Sequence, residues 1–536
     1  MAADSSKNYD DVPYTSLPFA QTQPDRLATI AWLFGMTPAM PSRCRVLELG
    51  GASGGNMAPL AERYPNSEFV CVDYSARQVA DGQKVVQGAG LRNIRLMHGN
   101  ILELGPQLGM FDYIVCHGVY SWVPRGVQDK IMQLCRSLLN EQGVGLISYN
   151  TSPGWRLRGT VRDLMMYRAQ FFESPADKLA QGKALLDFLS ESVPEDKSAY
   201  GMLLKSEVDY IRALTPWYLL HEYLEDVNES LYFHEFMTRA KQHGLEYLGE
   251  SDIATMLTMN LPPQVGDTLR KLSADIIQTE QYMDFVRNRL FRQTLLCHGE
   301  RQLKRNLTGE RIHTLHVASN AQPPDGLLDP NTSDAVPFKL GGAVLTSADP
   351  IVKAAMLVMK DAWPCSLQFN DLLTASRSRL RTGATFVTET ELNRERDQLS
   401  SMLLRGYTAQ LVSMSVEGRT VRKDVPARPL ATKLARVQAV MGDKVATLLH
   451  EVATLPDLER LVVQHLDGLK DHAALVELIA VEVLAGRLNL QNSGQPVTDP
   501  AQVRELLNGA VTELLKRLAG KNLLCPDGWL ERSVTA

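Results

Sequence analysis

A glycine-rich loop with an acidic residue just ahead of it is the strongest chemical signal in the sequence. Residues 48–56 read Glu-Leu-Gly-Gly-Ala-Ser-Gly-Gly-Asn and directly follow a short apolar run. Such a loop lets the backbone approach a nucleotide closely at the start of a helix. In a dinucleotide site the second glycine of the motif makes room for a pyrophosphate, but Ala52 occupies that position. Glu48, two residues before Gly50, would also repel a pyrophosphate, so the loop favours a ligand with cationic groups.

A second carboxylate, Asp73, ends the next apolar run along the chain. Beside the loop, it can accept hydrogen bonds from both hydroxyls of a ribose, each worth about 1.5–3 kcal/mol because the acceptor is charged. S-adenosylmethionine fits both signals, since it has a ribose, a cationic amino group and a cationic sulfonium but no phosphate. The alternative is a tight structural turn next to a surface aspartate.

Five short apolar runs, each ending in glycine or polar residues, indicate the strands that would position these groups. The runs span residues 45–49, 68–72, 93–97, 111–115 and 143–149. Helical patterns separate some of them, and this alternation is typical of βαβ units with a parallel sheet. We therefore predict an α/β fold, with a ligand crevice along the edge where the strands have their carboxyl ends.

The rest of the chain is predicted to form further units. Apolar runs at 231–233 and 244–248 indicate two more strands, which would complete the sheet by about residue 252. Residues 462–468, followed by a helical pattern at 473–483, are typical of a winged-helix turn. The predicted domains are a cofactor-binding core (1–155), a helical insertion (156–225), the rest of the core sheet with a regulatory or helical region (226–300), a linker (301–334), a middle α+β domain (335–425) and a C-terminal winged-helix-like domain (426–536).

The amino-acid composition limits the classes of protein to which the chain can belong. The chain has 536 residues, of which 56 are basic and 61 acidic, so its net charge of −5 gives no global field that would attract nucleic acid or an anionic membrane. No apolar run approaches the length of about 18 residues needed to cross a bilayer, and the N-terminus lacks the pattern of a signal peptide. The 7 cysteines are scattered without a C-x-x-C spacing, which argues against a cysteine-based zinc site. We therefore predict a cytoplasmic protein without a metal site.

Several segments resemble a known family. The loop and its framework are similar to class I, Rossmann-like S-adenosylmethionine-dependent methyltransferases. Other segments resemble the bacterial protein lysine methyltransferases that act on outer membrane protein B of rickettsiae, including their methyltransferase regulatory domain. These segments are LPFAQTQPDRL at 17–27, CHGVYSWVP at 116–124, SYNTSPGW at 148–155, and HEYLE at 221–225 with YFHEF at 232–236. The similarity runs from about residue 10 to 300 and continues more weakly to the C-terminus.

The resemblance implies roles for residues around the loop. Gly50, Ala52 and Gly54 would bound the methionine part of the cofactor, and Asp73 would hold its ribose. Asn100 stands where the family usually has an aspartate beside the adenine, and its amide oxygen can still accept from the adenine amino group. The cofactor-binding candidates are Tyr14, Glu48, Gly50, Ala52, Gly54, Asn56, Asp73, Tyr74, Asn100, Ile101 and His117.

Four residues outside the loop would border the cofactor on other sides. Tyr74 and Ile101 would flank the adenine. His117, just beyond the fourth strand, would lie where the donor methyl group faces the substrate; the alternative is a structural histidine. Tyr14, in the N-terminal segment, would cap the cofactor; the alternative is packing on the sheet.

The acceptor of the methyl group must place a lone pair in line with the S–CH3 bond. A lysine has an ordinary pKa of about 10.4, so its neutral amine costs about 4–5 kcal/mol at pH 7. A dry aromatic slot beside the sulfonium would lower that pKa and tolerate the charged product. The candidates after the fourth and fifth strands are Tyr120, Trp122, Tyr149, Asn150 and Trp155. The alternative is that these aromatic residues belong to the core of the helical insertion.

The sequence therefore favours methyl transfer to lysine side chains of a protein. The resemblance further implies a homodimer whose substrate is an outer-membrane or surface protein before its export. Winged helices also bind DNA, but the net acidity argues against nucleic acid as a partner. Two alternatives stay open: transfer to a small metabolite, and a cofactor-sensing regulatory protein without transfer activity.

Overall fold

A seven-stranded sheet forms the centre of the molecule. The computed structural model describes residues 14–195, 198–324, 328–380, 388–492 and 495–529. The strands are β1 Arg45–Leu49, β2 Glu68–Asp73, β3 Ile94–His98, β4 Phe111–Cys116, β5 Leu139–Asn150, β6 Leu245–Glu250 and β7 Phe291–His298. They lie in the order β3-β2-β1-β4-β5-β7-β6. The first five are parallel, and β7 is antiparallel to both β5 and β6. This arrangement confirms the predicted α/β fold.

The strands predicted from apolar runs are present because both faces of the sheet are covered. In β1 every residue from Val46 to Leu49 is buried, although successive side chains point to opposite faces. β5 begins earlier than predicted, at Leu139. The predicted strand at 231–233 is wrong, since Leu231 forms a single bridge to Thr151 and a helix begins two residues later.

The sheet is also not complete by residue 252, because β7 enters between β5 and β6. Its sequence, FRQTLLCH, carries Arg292 near its start, and this charge breaks the apolar pattern of a buried strand. Arg292 is fully buried, and its guanidinium donates hydrogen bonds to Glu250 (2.7 Å), Glu280 (2.9 Å) and Asp284 (2.8 Å). These carboxylates compensate the desolvation of the arginine.

Helices alternate with the strands along this part of the chain. They are α1 Pro24–Leu33, α2 Ala58–Arg63, α3 Ala76–Ala89, α4 Arg125–Leu138, α5 Gly154–Ala169, α6 Pro175–Ser192, α7 Ala199–Arg212, α8 Pro216–Tyr223, α9 Phe233–Gln242, α10 Pro263–Leu272 and α11 Ile276–Arg287. Helices α5 to α8 form the predicted insertion and have a hydrophobic core of their own, which includes Met165, Leu186 and Leu204. The insertion therefore folds around a core of its own.

The middle unit begins earlier than its predicted boundary. Its elements are β8 His316–Ala318, β9 Val336–Leu340, β10 Ala343–Ser347, α12 Pro350–Ala362, β11 Leu367–Gln368, α13 Phe369–Arg379, α14 Glu389–Thr408 and β12 Ser413–Ser415. β8 is the central strand of a sheet with the order β11-β8-β12, so residues 301–334 are not a simple linker. The middle unit shares one continuous buried core with the large sheet, and the Val416 N–H donates to the Thr29 hydroxyl of α1 (3.1 Å).

The C-terminal unit has a separate core. Its elements are α15 Lys433–Met441, β13 Lys444–Ala446, β14 Val452–Thr454, α16 Asp457–Gln464, α17 His472–Leu484, β15 Gln491–Asn492, β16 Gln495–Pro496 and α18 Pro500–Gly520. Glu62 of the sheet domain accepts hydrogen bonds from the N–H groups of Lys433 (2.7 Å) and Leu434 (3.2 Å) and so caps α15. In the described part of the chain, no helix is long and apolar enough to span a membrane.

Candidate functional site

The glycine-rich loop between β1 and α2 adopts backbone conformations that favour glycine. Gly50 and Gly54 both have a φ of +74°, and Ala52 between them has a φ of +49°. A Cβ atom at Gly50 would lie 2.3 Å from the side chain of Val119, and one at Gly54 would lie 2.7 Å from that of Leu96. Because this conformation costs a residue with a Cβ about 1–2 kcal/mol, the surroundings must stabilise Ala52.

Asp73, the last residue of β2, provides this stabilisation. Its Oδ2 accepts a hydrogen bond from the Ala52 N–H (2.7 Å), and its Oδ1 accepts one from the Ser75 N–H (2.9 Å). Burial raises the pKa of Asp73, and these backbone donors oppose the shift. Each carboxylate oxygen can accept a second hydrogen bond, so Asp73 retains capacity for the two hydroxyls of a ribose.

Glu48 lies beneath the loop, where its two oxygens are already engaged. Oε1 accepts from Nδ2 of Asn56 (2.7 Å), Oε2 lies 3.5 Å from Sγ of Cys71, and a Cβ at Gly51 would lie 2.7 Å from Oε2. Burial raises the pKa of Glu48 to about 7. Glu48 therefore supports the loop through Asn56, and its role towards a cationic ligand stays a prediction.

Asn56 joins three segments that are far apart in the sequence. Its Oδ1 accepts hydrogen bonds from the Phe19 N–H (2.9 Å) and from Nε2 of His450 (3.0 Å), while its Nδ2 donates to Glu48. Because a carbonyl oxygen only accepts, Nε2 of His450 must carry the proton. Burial lowers the pKa of His450 to about 3, so the ring stays neutral. His450 has no local sequence signal for this role, since it meets the loop only in the folded chain.

Replacing His450 by alanine should weaken the binding of S-adenosylmethionine about 3- to 10-fold, because the loop loses one hydrogen bond, worth about 0.5–1.5 kcal/mol. Isothermal titration calorimetry measures the effect. The matched control is His472→Ala, which removes a half-buried histidine in the same unit whose ring nitrogen lies 3.0 Å from the Thr512 hydroxyl, far from the loop in sequence and in contacts. Equal affinities for both variants would show that the C-terminal unit does not support the loop.

The N-terminal segment 14–19 crosses the loop. Ser16 Oγ accepts from the Gly55 N–H (2.8 Å), and a Cβ at Gly55 would lie 2.3 Å from the carbonyl oxygen of Ser16. Farther along, the ring of Phe19 packs edge-on against His117, with centroids 4.5 Å apart. At the other end, the ring of Tyr14 contacts Trp217 of α8 rather than the sheet. The segment therefore covers the loop and connects it to the helical insertion.

The remaining cofactor candidates follow β2, β3 and β4 at the same edge of the sheet. Tyr74 is 46% exposed, as a residue stacking on a ligand should be. Asn100 Oδ1 accepts from the Leu102 N–H (3.0 Å), which caps a short helical turn that includes Ile101. Burial lowers the pKa of His117 to about 4, so its ring is neutral at physiological pH.

Nδ1 of His117 is buried and has no hydrogen-bond partner among the described residues. Unpaired buried nitrogens are rare in folded proteins, so this atom fits a site that a bound ligand completes. With the loop and Asp73, it forms an edge suited to a nucleoside that carries a cationic group. No group of three or more His, Cys, Asp or Glu side chains in the described ranges is placed to hold a metal ion.

Two of the predicted acceptor residues lie in the protein core. Tyr149 is 1% exposed, stacks on Phe236 with centroids 4.0 Å apart, and has its hydroxyl 3.2 Å from that of Thr294. Tyr120 has no exposed surface and packs edge-on against Phe236. Side chains without exposed surface do not contact an incoming lysine. We therefore correct the expectation: Tyr120 and Tyr149 hold α9 against β5.

The other three acceptor candidates hold the base of the insertion. Trp155 is buried and packs edge-on against Trp122, with centroids 6.1 Å apart. Asn150 is buried, and its Nδ2 donates to Asn228 (3.4 Å). Of these residues, Trp122 keeps exposed surface. The structure thus brings the cofactor candidates together but does not gather the five acceptor candidates into an open slot.

Comparison with known proteins extends these observations over the whole chain. Three family models match: "Methyltransferase domain" at residues 46–143, "Predicted methyltransferase regulatory domain" at 215–298, and "PKMT, C-terminal winged helix domain" at 427–523. Uncharacterized protein RP789 of Rickettsia prowazekii is 35% identical over 96% of this chain and 93% of its own length. Uncharacterized protein RP028 of the same organism is 41% identical over 45% of this chain and 96% of its own length.

A solved structure agrees with this chain from end to end. PKMT2 from Rickettsia typhi in complex with AdoHcy matches with a TM-score of 0.83 and 31% identity, covering 96% of this chain and 100% of that chain. The match includes the large sheet, and the predicted C-terminal winged helix is confirmed. The glycine-rich loop, Asp73 and this relationship identify the cofactor as S-adenosylmethionine. The chain therefore belongs to the family of S-adenosylmethionine-dependent methyltransferases that includes PKMT2 of Rickettsia typhi.

Proposed function

We propose that this methyltransferase transfers methyl groups to lysine side chains of a protein substrate. The observation that carries the proposal is the end-to-end match to PKMT2, which extends over the middle and winged-helix units as well as the cofactor-binding sheet. Apart from His450, which supports the cofactor loop through Asn56, the residues of these units are not among the donor-site candidates, and the units add a large surface. Such a surface suits a macromolecular substrate, because binding energy from remote contacts can orient the reacting group.

The donor is assigned to residues at the carboxyl edge of the sheet. Gly50, Ala52 and Gly54 border its methionine part, Asp73 holds the ribose, and His117 faces the reacting end. Tyr74, Asn100 and Ile101 lie beside the adenine, while Tyr14, Glu48 and Asn56 act through the segments that cover and support the loop. Bound there, the cofactor supplies an electrophilic methyl group, and the chain contributes alignment of donor and acceptor, which can lower a barrier by up to about 7–11 kcal/mol.

The proposal includes the setting in which the enzyme works. The substrate is an outer-membrane or surface protein before its export, methylated in the cytoplasm by a homodimeric enzyme. The net charge of −5 favours protein over nucleic acid as the partner.

The test is to incubate the protein with methyl-labelled S-adenosylmethionine and a proteome extract, and then to separate protein from small molecules. Label should enter the protein fraction, and acid hydrolysis should release it as methyllysine. Label in the small-molecule fraction would indicate a metabolite methyltransferase instead. Cofactor binding without any transfer would indicate a sensor.

A further inference from the structure

Three aromatic side chains pack together where the N-terminal segment meets the helical insertion, and one carboxylate, Glu222, lies on the same short helix as two of them. Helix α8 carries Trp217 and Tyr218 and, one turn after Tyr218, Glu222, and Tyr14 packs edge-on against Trp217 with centroids 5.0 Å apart. Trp217 and Tyr218 also meet edge-on, at 5.8 Å. We call these four residues, Tyr14, Trp217, Tyr218 and Glu222, the Glu222 cluster. None of them follows a strand of the sheet, so the acceptor prediction did not include them.

Glu222 has a partly buried carboxylate that other side chains leave free. In the portion of the chain that the structure describes, it makes no hydrogen bond and no salt bridge. Burial raises the pKa of Glu222 to about 7, and the charge of Arg158 opposes this shift. Arg158 itself is paired with Glu207 (3.2 Å). Partial burial of a carboxylate among aromatic rings costs free energy because the charge loses water, and a bound cation would offset that cost.

Other titratable groups around Glu222 come from three neighbouring elements. Tyr14 approaches from the N-terminal segment, Tyr210 and Glu207 from α7, and Arg158 from α5. On α8 itself are Tyr218, Tyr223 and His221, of which His221 is bonded to Glu225 (3.1 Å). Burial first and the Glu222 charge second raise the pKa of Tyr14 to about 12. Burial likewise raises the pKa of Tyr218 and Tyr223, so Tyr14, Tyr218 and Tyr223 are neutral near pH 7.

The cluster lies close to the cofactor loop. Tyr14 is two residues from Ser16, whose Oγ is hydrogen bonded to the Gly55 N–H, and two residues span at most about 7 Å. After α8 the chain returns to the carboxyl edge of the sheet, where the Glu229 N–H donates to the carbonyl oxygen of Ser121 (2.8 Å). The cluster is thus attached on both sides to segments that border the donor site.

We propose that the Glu222 cluster is the acceptor site: the aromatic rings guide the side chain of a substrate lysine, and the Glu222 carboxylate receives its ammonium group. This inference rests on the proposed lysine specificity and names the residues that serve it. Aromatic faces attract ammonium groups before and after methylation. Their apolar surfaces also pack against the four methylene groups of the lysine stem.

Glu222 also acts as the base that takes up the proton lost by the substrate lysine. One N–H bond of the ammonium breaks as the carboxylate oxygen takes the proton, which leaves a neutral amine and a neutral carboxylic acid. The nitrogen lone pair then forms the new N–CH3 bond while the S–CH3 bond breaks and its electron pair stays on sulfur. The product is a methylammonium, and Glu222 afterwards releases its proton to water.

Activity of Glu222→Gln on a protein substrate tests the catalytic part. We expect kcat at pH 7 to fall on the order of 100-fold, a magnitude typical of a lost general base. The difference in kcat between Glu222→Gln and the unaltered protein should decrease as the pH rises towards the ordinary lysine pKa of about 10, because the free amine then forms without a general base. Asp226→Asn, which changes an exposed acid just beyond α8, is the matched control and should keep full activity.

Binding of a lysine mimic tests the site without any transfer. n-Butylammonium chloride, titrated at saturating AdoHcy and followed by ligand-observed NMR, should bind the unaltered protein and at least 5-fold more weakly to Glu222→Gln and Trp217→Ala. Unchanged binding in both variants would overturn the acceptor site even if the enzyme methylates lysine. If mimic binding depends on Glu222 but no lysine is methylated, the site stands and the proposed function falls. Circular dichroism and an unchanged affinity for S-adenosylmethionine would exclude misfolding.

Discussion

Asp73→Ala is expected to weaken the binding of S-adenosylmethionine by about 2–4 kcal/mol, which is tens- to hundreds-fold. The variant loses the proposed acceptor for two ribose hydroxyls. It also loses the hydrogen bond that holds the Ala52 N–H (2.7 Å) and with it the strained conformation of the loop. Both effects act on the same ligand, so calorimetric titration with S-adenosylmethionine measures their sum.

Two further variants separate these effects. Asp73→Asn keeps one acceptor oxygen for the loop but loses the charge, so its affinity should fall between those of the original protein and Asp73→Ala. Asp81→Ala, which breaks an i,i+3 pair with Lys84 (2.8 Å) on the surface of α3, should bind normally. An Asp73→Ala protein that is folded and binds S-adenosylmethionine with unchanged affinity would remove the ribose role from Asp73.

Arg292→Leu is expected to lower the free energy of unfolding by about 3–5 kcal/mol, the usual cost of removing one partner from a buried ionic network. The variant leaves three buried carboxylates with Arg289 as their remaining cation, which lies 3.2 Å from Glu250 and 3.8 Å from Asp284. Their mutual repulsion adds to the desolvation that already raises the pKa of Glu280 to about 7. Urea denaturation followed by circular dichroism measures the loss.

The pH dependence of this loss has a definite sign. Without Arg292 the folded-state pKa values of the carboxyl groups rise above their unfolded values, so the folded state binds more protons and loses stability as the pH rises. The difference in stability from the original protein should therefore be larger at pH 8 than at pH 5. Arg125→Leu, which breaks an exposed pair with Asp129 (3.1 Å), should change stability by less than about 0.5 kcal/mol. An equally small effect for Arg292→Leu would refute the buried network.

The sequence predicts best those parts of the fold in which the local pattern of apolar and glycine residues matches the burial and backbone conformation that the folded chain requires. The run at 45–49 is apolar on both faces because β1 is buried on both faces, and the loop after it needs glycine where φ is positive. Asp73 follows its strand directly, so its place at the carboxyl edge of the sheet follows from topology alone.

The parts that the local sequence pattern does not predict depend on contacts between distant residues. β7 carries Arg292, whose burial makes sense only once Glu250, Glu280 and Asp284 are known to surround it. Tyr149 is an aromatic residue of the kind expected in a ligand slot. However, the ring of Phe236 stacks on the ring of Tyr149 and covers it. Aromatic residues at the end of a strand cannot be divided between core and site without knowing which helix packs on them.

The central claim, methyl transfer from S-adenosylmethionine to protein lysine, is tested most directly by locating the transferred group on individual residues. Proteins from an extract are incubated with the enzyme and deuteromethyl-labelled S-adenosylmethionine, digested, and sequenced by tandem mass spectrometry, with Asp73→Ala as the negative control. The account predicts labelled methyl groups on lysine nitrogens, at sites that are missing from the control. Labelled methyl groups on other residue types, or on no protein residue at all, would contradict it.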